Sequence, residues 1–196
     1  MRLLFLLFIV INSAYCAANE NDSAKFLKID EDDFVIGSSN AKSLVIEYSS
    51  LSCVHCAHFH EQVLPQVKRD FIDTGRARYV FRSFPTNQPS LKAELLARCV
   101  AKDDYLNFVN SLLASQNMWA FTAEYEKSLL SIGKLSGMSD DKIKSCLNDQ
   151  AMSDKILYQI YEAAKALSII GTPTVFVNGK RVEGELTYDA ISELLN

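Results

Sequence analysis

Two cysteines stand three positions apart in Cys53-Val54-His55-Cys56, and far along the chain a threonine precedes a proline in Gly171-Thr172-Pro173-Thr174. A C-x-x-C pair at the start of a helix can open and close as a disulfide without unfolding the helix. The same spacing serves zinc sites, so the surroundings must decide. Cys53, Cys56 and His60 could begin a zinc set, but a second closely spaced pair of ligands is missing. Cys99 and Cys146 stand alone, distant in sequence from this cluster and from each other. The reading is a thiol–disulfide centre with no metal and no diffusible cofactor.

Exchange needs a thiolate, and a free cysteine is mostly protonated at neutral pH. At a helix N-terminus the unpaired N–H groups and the dipole favour negative charge, which should lower the Cys53 pKa. His55 can add an N–H donor or a positive charge aimed at the sulfur. Cys56, one turn into the helix, is then the shielded, resolving thiol. A stabilised thiolate stabilises the reduced protein and makes the disulfide the stronger oxidant. Thr172-Pro173 supplies the second half of the site. A cis peptide there would turn the Thr172 backbone toward a substrate chain, to be paired as a short strand whatever its sequence. The Thr172 hydroxyl could also reach Cys53. His58 and His60 read as a solvated helix face, His60 being next to Glu61.

The elements that must hold these groups can be traced by pattern. Phe34-Val35-Ile36-Gly37 reads as a short strand, and Ser43 to Ser49 as a buried one with Glu47 inside it. Ser52 is a candidate N-cap for a helix whose inward stripe is Phe59, Val63, Val67 and Phe71, with a kink or break expected at Pro65. Ala77 to Phe84 alternates as a strand. From Ser90 to about Ile170 the pattern is helical, over Leu91–Lys102, Tyr105–Ser115, Glu124–Leu135 and Ser139–Leu167, the last broken near Asn148–Ser153. Thr174 to Val177, the hairpin signal Asn178-Gly179, Lys180 to Glu183 and a helix over Tyr188–Leu195 close the chain.

Composition narrows the setting. Met1-Arg2, the apolar run Leu3 to Ile11 and the small residues around Ala14 to Ala18 read as a secretory signal peptide over residues 1–18, cleaved after Cys16 or Ala18. The run is far short of the roughly 20 residues that span a bilayer. Lipidation of Cys16 is an alternative. The formal charge of −4, with no basic cluster, argues against nucleic acid. Beyond the signal peptide, four cysteines remain in an oxidising compartment, enough for two intrachain pairs. Cys99 and Cys146 read as a structural disulfide stabilising the fold by about 4 kcal/mol. The competing reading is two buried thiols. Residues 19–32 read as a loose acidic tail.

The order of elements resembles a thioredoxin fold with an inserted all-helical domain, of the α/β class. Ile46-Glu47-Tyr48-Ser49-Ser50-Leu51-Ser52-Cys53-Val54-His55-Cys56 and Gly171-Thr172-Pro173-Thr174-Val175-Phe176-Val177-Asn178-Gly179 resemble the redox motif and cis-proline strand of DsbA-type periplasmic thiol–disulfide oxidoreductases. The resemblance implies a thioredoxin-like domain from residues 19–85 and 171–196, and a helical insertion over 86–170. It implies disulfide transfer from Cys53–Cys56 to unfolded or partly folded exported proteins with free thiols, in the periplasm, by a monomer reoxidised by a quinone-linked membrane partner. Two residues depart from the family's commonest pattern, Val54 where proline is usual and Thr172 where valine is frequent; both positions bear on potential. Glu47 lies beneath the cysteines in that family and relays protons for Cys56, while strand alternation alone also permits an outward-facing charge. A disulfide isomerase or reductase is the alternative activity. A peptide-binding or chaperone module with incidental cysteines is the alternative outside redox chemistry.

Overall fold

Apolar, β-branched Ser43–Ser49 forms the central strand, β2, of a five-stranded sheet. The computed structural model describes residues 23–196, so the expected signal peptide at 1–18, its cleavage points and Cys16 lie outside the described residues. The other strands are β1 (Phe34–Ile36), β3 (Ala77–Ser83), β4 (Thr174–Val177) and β5 (Lys180–Arg181), in the order β1-β3-β2-β4-β5. β2 runs parallel to β3 and antiparallel to β4, with β1 and β5 antiparallel on the two edges. A parallel pair needs a crossover, and helix α1 (residues 54–72) supplies it.

Alternation along β2 sends Val45 and Glu47 to one face and Ile46 and Tyr48 to the other. The first face joins Tyr79, Phe81, Val175 and Val177 in a core shared with α1. The second packs with Val80 and Phe176 against the helix α7 (Gln150–Leu167), through Ala163 and Leu167.

Helix α1 is a run of four segments. Val54–His58 and Leu64–Val67 have α geometry, whereas Phe59–Val63 and Lys68–Ile72 are π turns. Its apolar stripe explains this. Phe59, Val63, Val67 and Phe71 recur every four residues, an interval that overshoots an α turn by about 40° each time. The wider π turns absorb the surplus and keep all four buried. Pro65 sits in the first turn of the segment after a π turn, where its missing N–H is tolerated. The break expected there is a change of helical pitch.

Between β3 and β4 lies a helical block: α2 (Gln88–Ala97), α3 (Tyr105–Ala114), α4 (Gln116–Trp119), α5 (Tyr125–Leu135), α6 (Asp140–Leu147) and α7. Helix α8 (Tyr188–Leu195) closes the chain. Helix α2 starts earlier than the sequence suggests. Asn87 caps it reciprocally with Ser90, and Pro89 is accommodated in the first turn. The short α4 had no sequence signal; it carries Trp119, fully buried, whose Nε1 donates to Leu112 O at 3.0 Å. Cys99, just beyond α2, is disulfide-bonded to Cys146 on α6.

The loose tail expected over 19–32 needs correction from Ser23 onward. Lys25–Leu27 is a 3-10 turn, and Phe26, Leu27 and Ile29 pack on the second face of the sheet. Arg82, paired with Asp33 at 2.7 Å, also donates to the carbonyls of Phe26 and Lys28. Acidic composition hid these three apolar anchors.

Candidate redox site

The turn from Ser50 to Cys53 is fixed before any chemistry begins. Cys53 N–H donates to Ser50 O at 3.0 Å, and Cys53 O accepts from Ala57 N–H at 3.1 Å. Cys53 itself, with extended backbone, is the N-cap of α1. This corrects the placement of Ser52, whose hydroxyl instead donates to Asn87 Oδ1 at 3.1 Å and ties the turn to the start of α2. Ser50 Oγ lies 3.0 Å from Thr86 Oγ1 in the same seam. From α4, Gln116 Nε2 donates to Leu51 O at 2.7 Å and to Cys53 O at 3.0 Å. One side chain of the helical block thus holds the buried Leu51 carbonyl and adds a second donor to the Cys53 carbonyl.

Both Cys53 and Cys56 are free thiols, so the described state is the dithiol. Cys53 is half-buried and its pKa is lowered to about 5. The hydrogen bond from the Cys56 thiol contributes most; burial opposes it; Thr172 and the backbone N–H groups of Cys56 and His55 add further stabilisation. Cys56 is fully buried and its pKa is driven up, first by burial, then by its bond to Cys53 and by the charge of Glu47. Ser49 Oγ, buried and otherwise unpartnered, works the other way from beside the Cys56 thiol. The surroundings thus push the two thiols in opposite directions, Cys53 toward the thiolate and Cys56 toward the protonated form.

The Thr172-Pro173 bond is cis, and Thr172 O lies 3.2 Å from Cys53 Sγ. The strand leading into β4 thus brings a backbone acceptor against the sulfur. His55 is exposed and acts on Cys53 through its backbone N–H rather than through an imidazole folded back over the sulfur. Val54 is 56 % exposed beside Cys53. Of the two orientations left open for Glu47, the structure has the inward one, fully buried on the α1 side of the sheet.

His60 overturns the expectation of a solvated face. Its side chain is 4 % exposed, with Nε2 at 2.9 Å from Glu47 Oε2 and Nδ1 at 2.7 Å from Asn110 Oδ1. Tyr79 OH donates to the same Glu47 oxygen. Burial alone would lower the His60 pKa, yet the charge and hydrogen bond of Glu47 and the bond to Asn110 leave it raised. These contacts occupy the ring nitrogens that a zinc site with Cys53 and Cys56 would have used. One signal could have found His60: it lies four residues after Cys56, hence on the same helix face. Asn110, Tyr79 and Gln116 reach the site only through tertiary packing.

Comparisons with known proteins agree with this geometry. A model of the thioredoxin family matches residues 29–196. A Rickettsia typhi protein named for protein-disulfide oxidoreduction is 38% identical over 157 residues, 80% of this chain and 58% of that one. The disulfide bond formation protein D of Bacillus subtilis is 26% identical over 171 residues, 82% of this chain and 74% of that one. The crystal structure of alpha-DsbA1 from Wolbachia pipientis superposes with a TM-score of 0.82 at 32% identity, covering 88% of this chain and 94% of that one. The chain spans about three fifths of the length of the rickettsial relatives.

Proposed function

This chain belongs to the thioredoxin family, and on that premise we propose that it is a DsbA-type thiol–disulfide oxidase acting on exported proteins in the periplasm. The observation that carries the reading is geometric: Cys53 at the N-cap of α1 with its sulfur 3.2 Å from Thr172 O of the cis Thr172-Pro173 bond, and Cys56 buried one turn behind it. A substrate thiolate attacks Cys53 Sγ of the disulfide, the sulfur–sulfur bond breaks, and Cys56 leaves and takes up a proton. The second substrate thiol then attacks the mixed disulfide, and Cys53 leaves as a stabilised thiolate. Oxidising equivalents pass to the substrate, and the enzyme is left as the dithiol.

Thr172 and Pro173 hold the substrate backbone beside Cys53, and Val54 and His55 set the potential within this frame. Residues 86–170 act as an inserted helical domain on the thioredoxin-like domain of 19–85 and 171–196. The enzyme works as a monomer and is reoxidised by a quinone-linked membrane partner, as the family resemblance implies. Equilibration with glutathione buffers at pH 7 tests the direction of transfer. A potential near about −120 mV supports an oxidase; one near about −270 mV would replace this reading with a reductase or isomerase.

A further inference from the structure

The buried hydrogen bonds around Glu47 have a gap and an exit, and the two belong together. Glu47 Oε2 meets Tyr79 OH and His60 Nε2, while Glu47 Oε1 is buried with no hydrogen-bond partner. The charge of this carboxylate is felt at Cys56. Glu47, Tyr79 and Cys56 are each fully buried. His60 alone in this group reaches outward, through Nδ1 to the exposed Asn110.

Donor and acceptor rules fix the proton count. With Asn110 Oδ1 accepting at Nδ1, that nitrogen carries a hydrogen. The 2.9 Å contact between Nε2 and Glu47 Oε2 then needs one proton, on the imidazole or on the carboxyl. The π turn Phe59–Val63 places His60 for this role, on the face that carries Cys56 and Phe59.

The relay of a proton between Glu47 and Cys56 is what the family resemblance implies; we infer that His60 is a positioning residue for it, sharing the relayed proton with Glu47 and connecting the carboxylate to the surface at Asn110. The step rests on the redox reading above. When Cys56 leaves Cys53 as a thiolate, the shared proton passes to Cys56 Sγ, leaving the Glu47 carboxylate and neutral, Nδ1-protonated His60. Water at Asn110 restores the proton. In reoxidation the pair first releases its proton to water at Asn110, then takes the Cys56 proton as Cys56 Sγ attacks the mixed disulfide on Cys53 and the partner thiolate leaves. The other titratable groups facing the pair are Tyr79 from β3, Cys56 on α1 and, next to Tyr79, Tyr105 at the start of α3. Both tyrosines are fully buried with pKa values pushed well up by burial, so they stay protonated across the range tested. The His60 shift is upward, so its charge is complete below the ordinary histidine range and is lost as pH rises through the raised value.

The test separates the two thiols. The reduced full-length protein is mixed with excess oxidised glutathione, quenched in acid and weighed by mass spectrometry from pH 5 to 9. Formation of the Cys53–glutathione mixed disulfide reports Cys53; its closure by Cys56 reports the relay. His60→Gln should leave formation unchanged, slow closure about tenfold at pH 7, and remove the inflection that histidine titration gives the wild-type closure profile. Tenfold is below the roughly hundredfold of a directly acting acid or base, because Glu47 remains. Asn110→Ala keeps the histidine but removes the acceptor at Nδ1, and should shift that inflection to lower pH. Equal closure rates and profiles in wild type and His60→Gln overturn the inference. If His60→Gln does not fold, an unshifted Asn110→Ala profile overturns it. A wild-type protein that forms no mixed disulfide would instead sink the redox reading.

Discussion

The chain carries two cysteine pairs, and they are built to opposite ends. Cys99 and Cys146 are closed into a disulfide that ties the segment after α2 to the last turn of α6 within the helical block, neither of them at a helix N-cap. Cys53 and Cys56 are open, at the N-cap and first turn of α1, with backbone N–H groups at one sulfur and a buried carboxylate near the other. The difference teaches that what makes a cysteine pair reactive is an asymmetric field across it. The first pair is joined sulfur to sulfur.

The comparison breaks most sharply at Cys53. Cys53→Ser should abolish exchange with a thiol substrate, whereas Cys99→Ala with Cys146→Ala should retain it; loss in both would mean that the two pairs are not distinct in role. Next in size is stability. The Cys99–Cys146 double variant should lose about 4 kcal/mol on the chain-entropy account, read from urea unfolding of otherwise matched protein. A loss under about 1 kcal/mol would show that helix packing alone fixes this region.

The third expectation concerns pH, and its sign follows from Cys53. Its folded pKa lies below the ordinary 9.0, at about 5, so the thiolate stabilises the reduced form fully above 9. That contribution is lost as pH falls through 5, and the disulfide form has no such term. After allowance for the half-exposed sulfur, the contribution at pH 7 is about 1–2 kcal/mol. Urea midpoints of the reduced form, relative to the oxidised form, should therefore rise from pH 5 to 9. A flat difference would place the Cys53 pKa near its ordinary value. The smallest effect is at Gln116. Gln116→Ala takes the side-chain donor from the buried Leu51 carbonyl, while Cys53 O keeps Ala57 N–H, and should cost about 1–2 kcal/mol, with only a modest change in exchange rate.

Local chemistry was legible in the sequence wherever partners are close along the chain. The C-x-x-C spacing, the alternation of β2 and the hairpin at Asn178-Gly179 each need only a few neighbouring residues. His60 reads as solvated because its neighbour Glu61 is polar, which outweighs its four-residue spacing from Cys56. The docked segment after Ser23 was hidden by its acidic residues. Gln116 and Asn110 carry no local mark at all, since their partners lie more than 45 positions away. Pattern reading finds the cysteine pair and the strand and helix that hold it; the groups that face the pair and hold its carbonyls come from across the fold.

Trp119 is the only tryptophan of the chain, and it sits three residues after Gln116 on the helix that grips the active turn. Its indole is sealed from solvent and bonded back to Leu112. The protein therefore contains its own optical gauge, whose emission would register any loosening between the helical block and the Leu51–Cys53 carbonyls without a label attached to either.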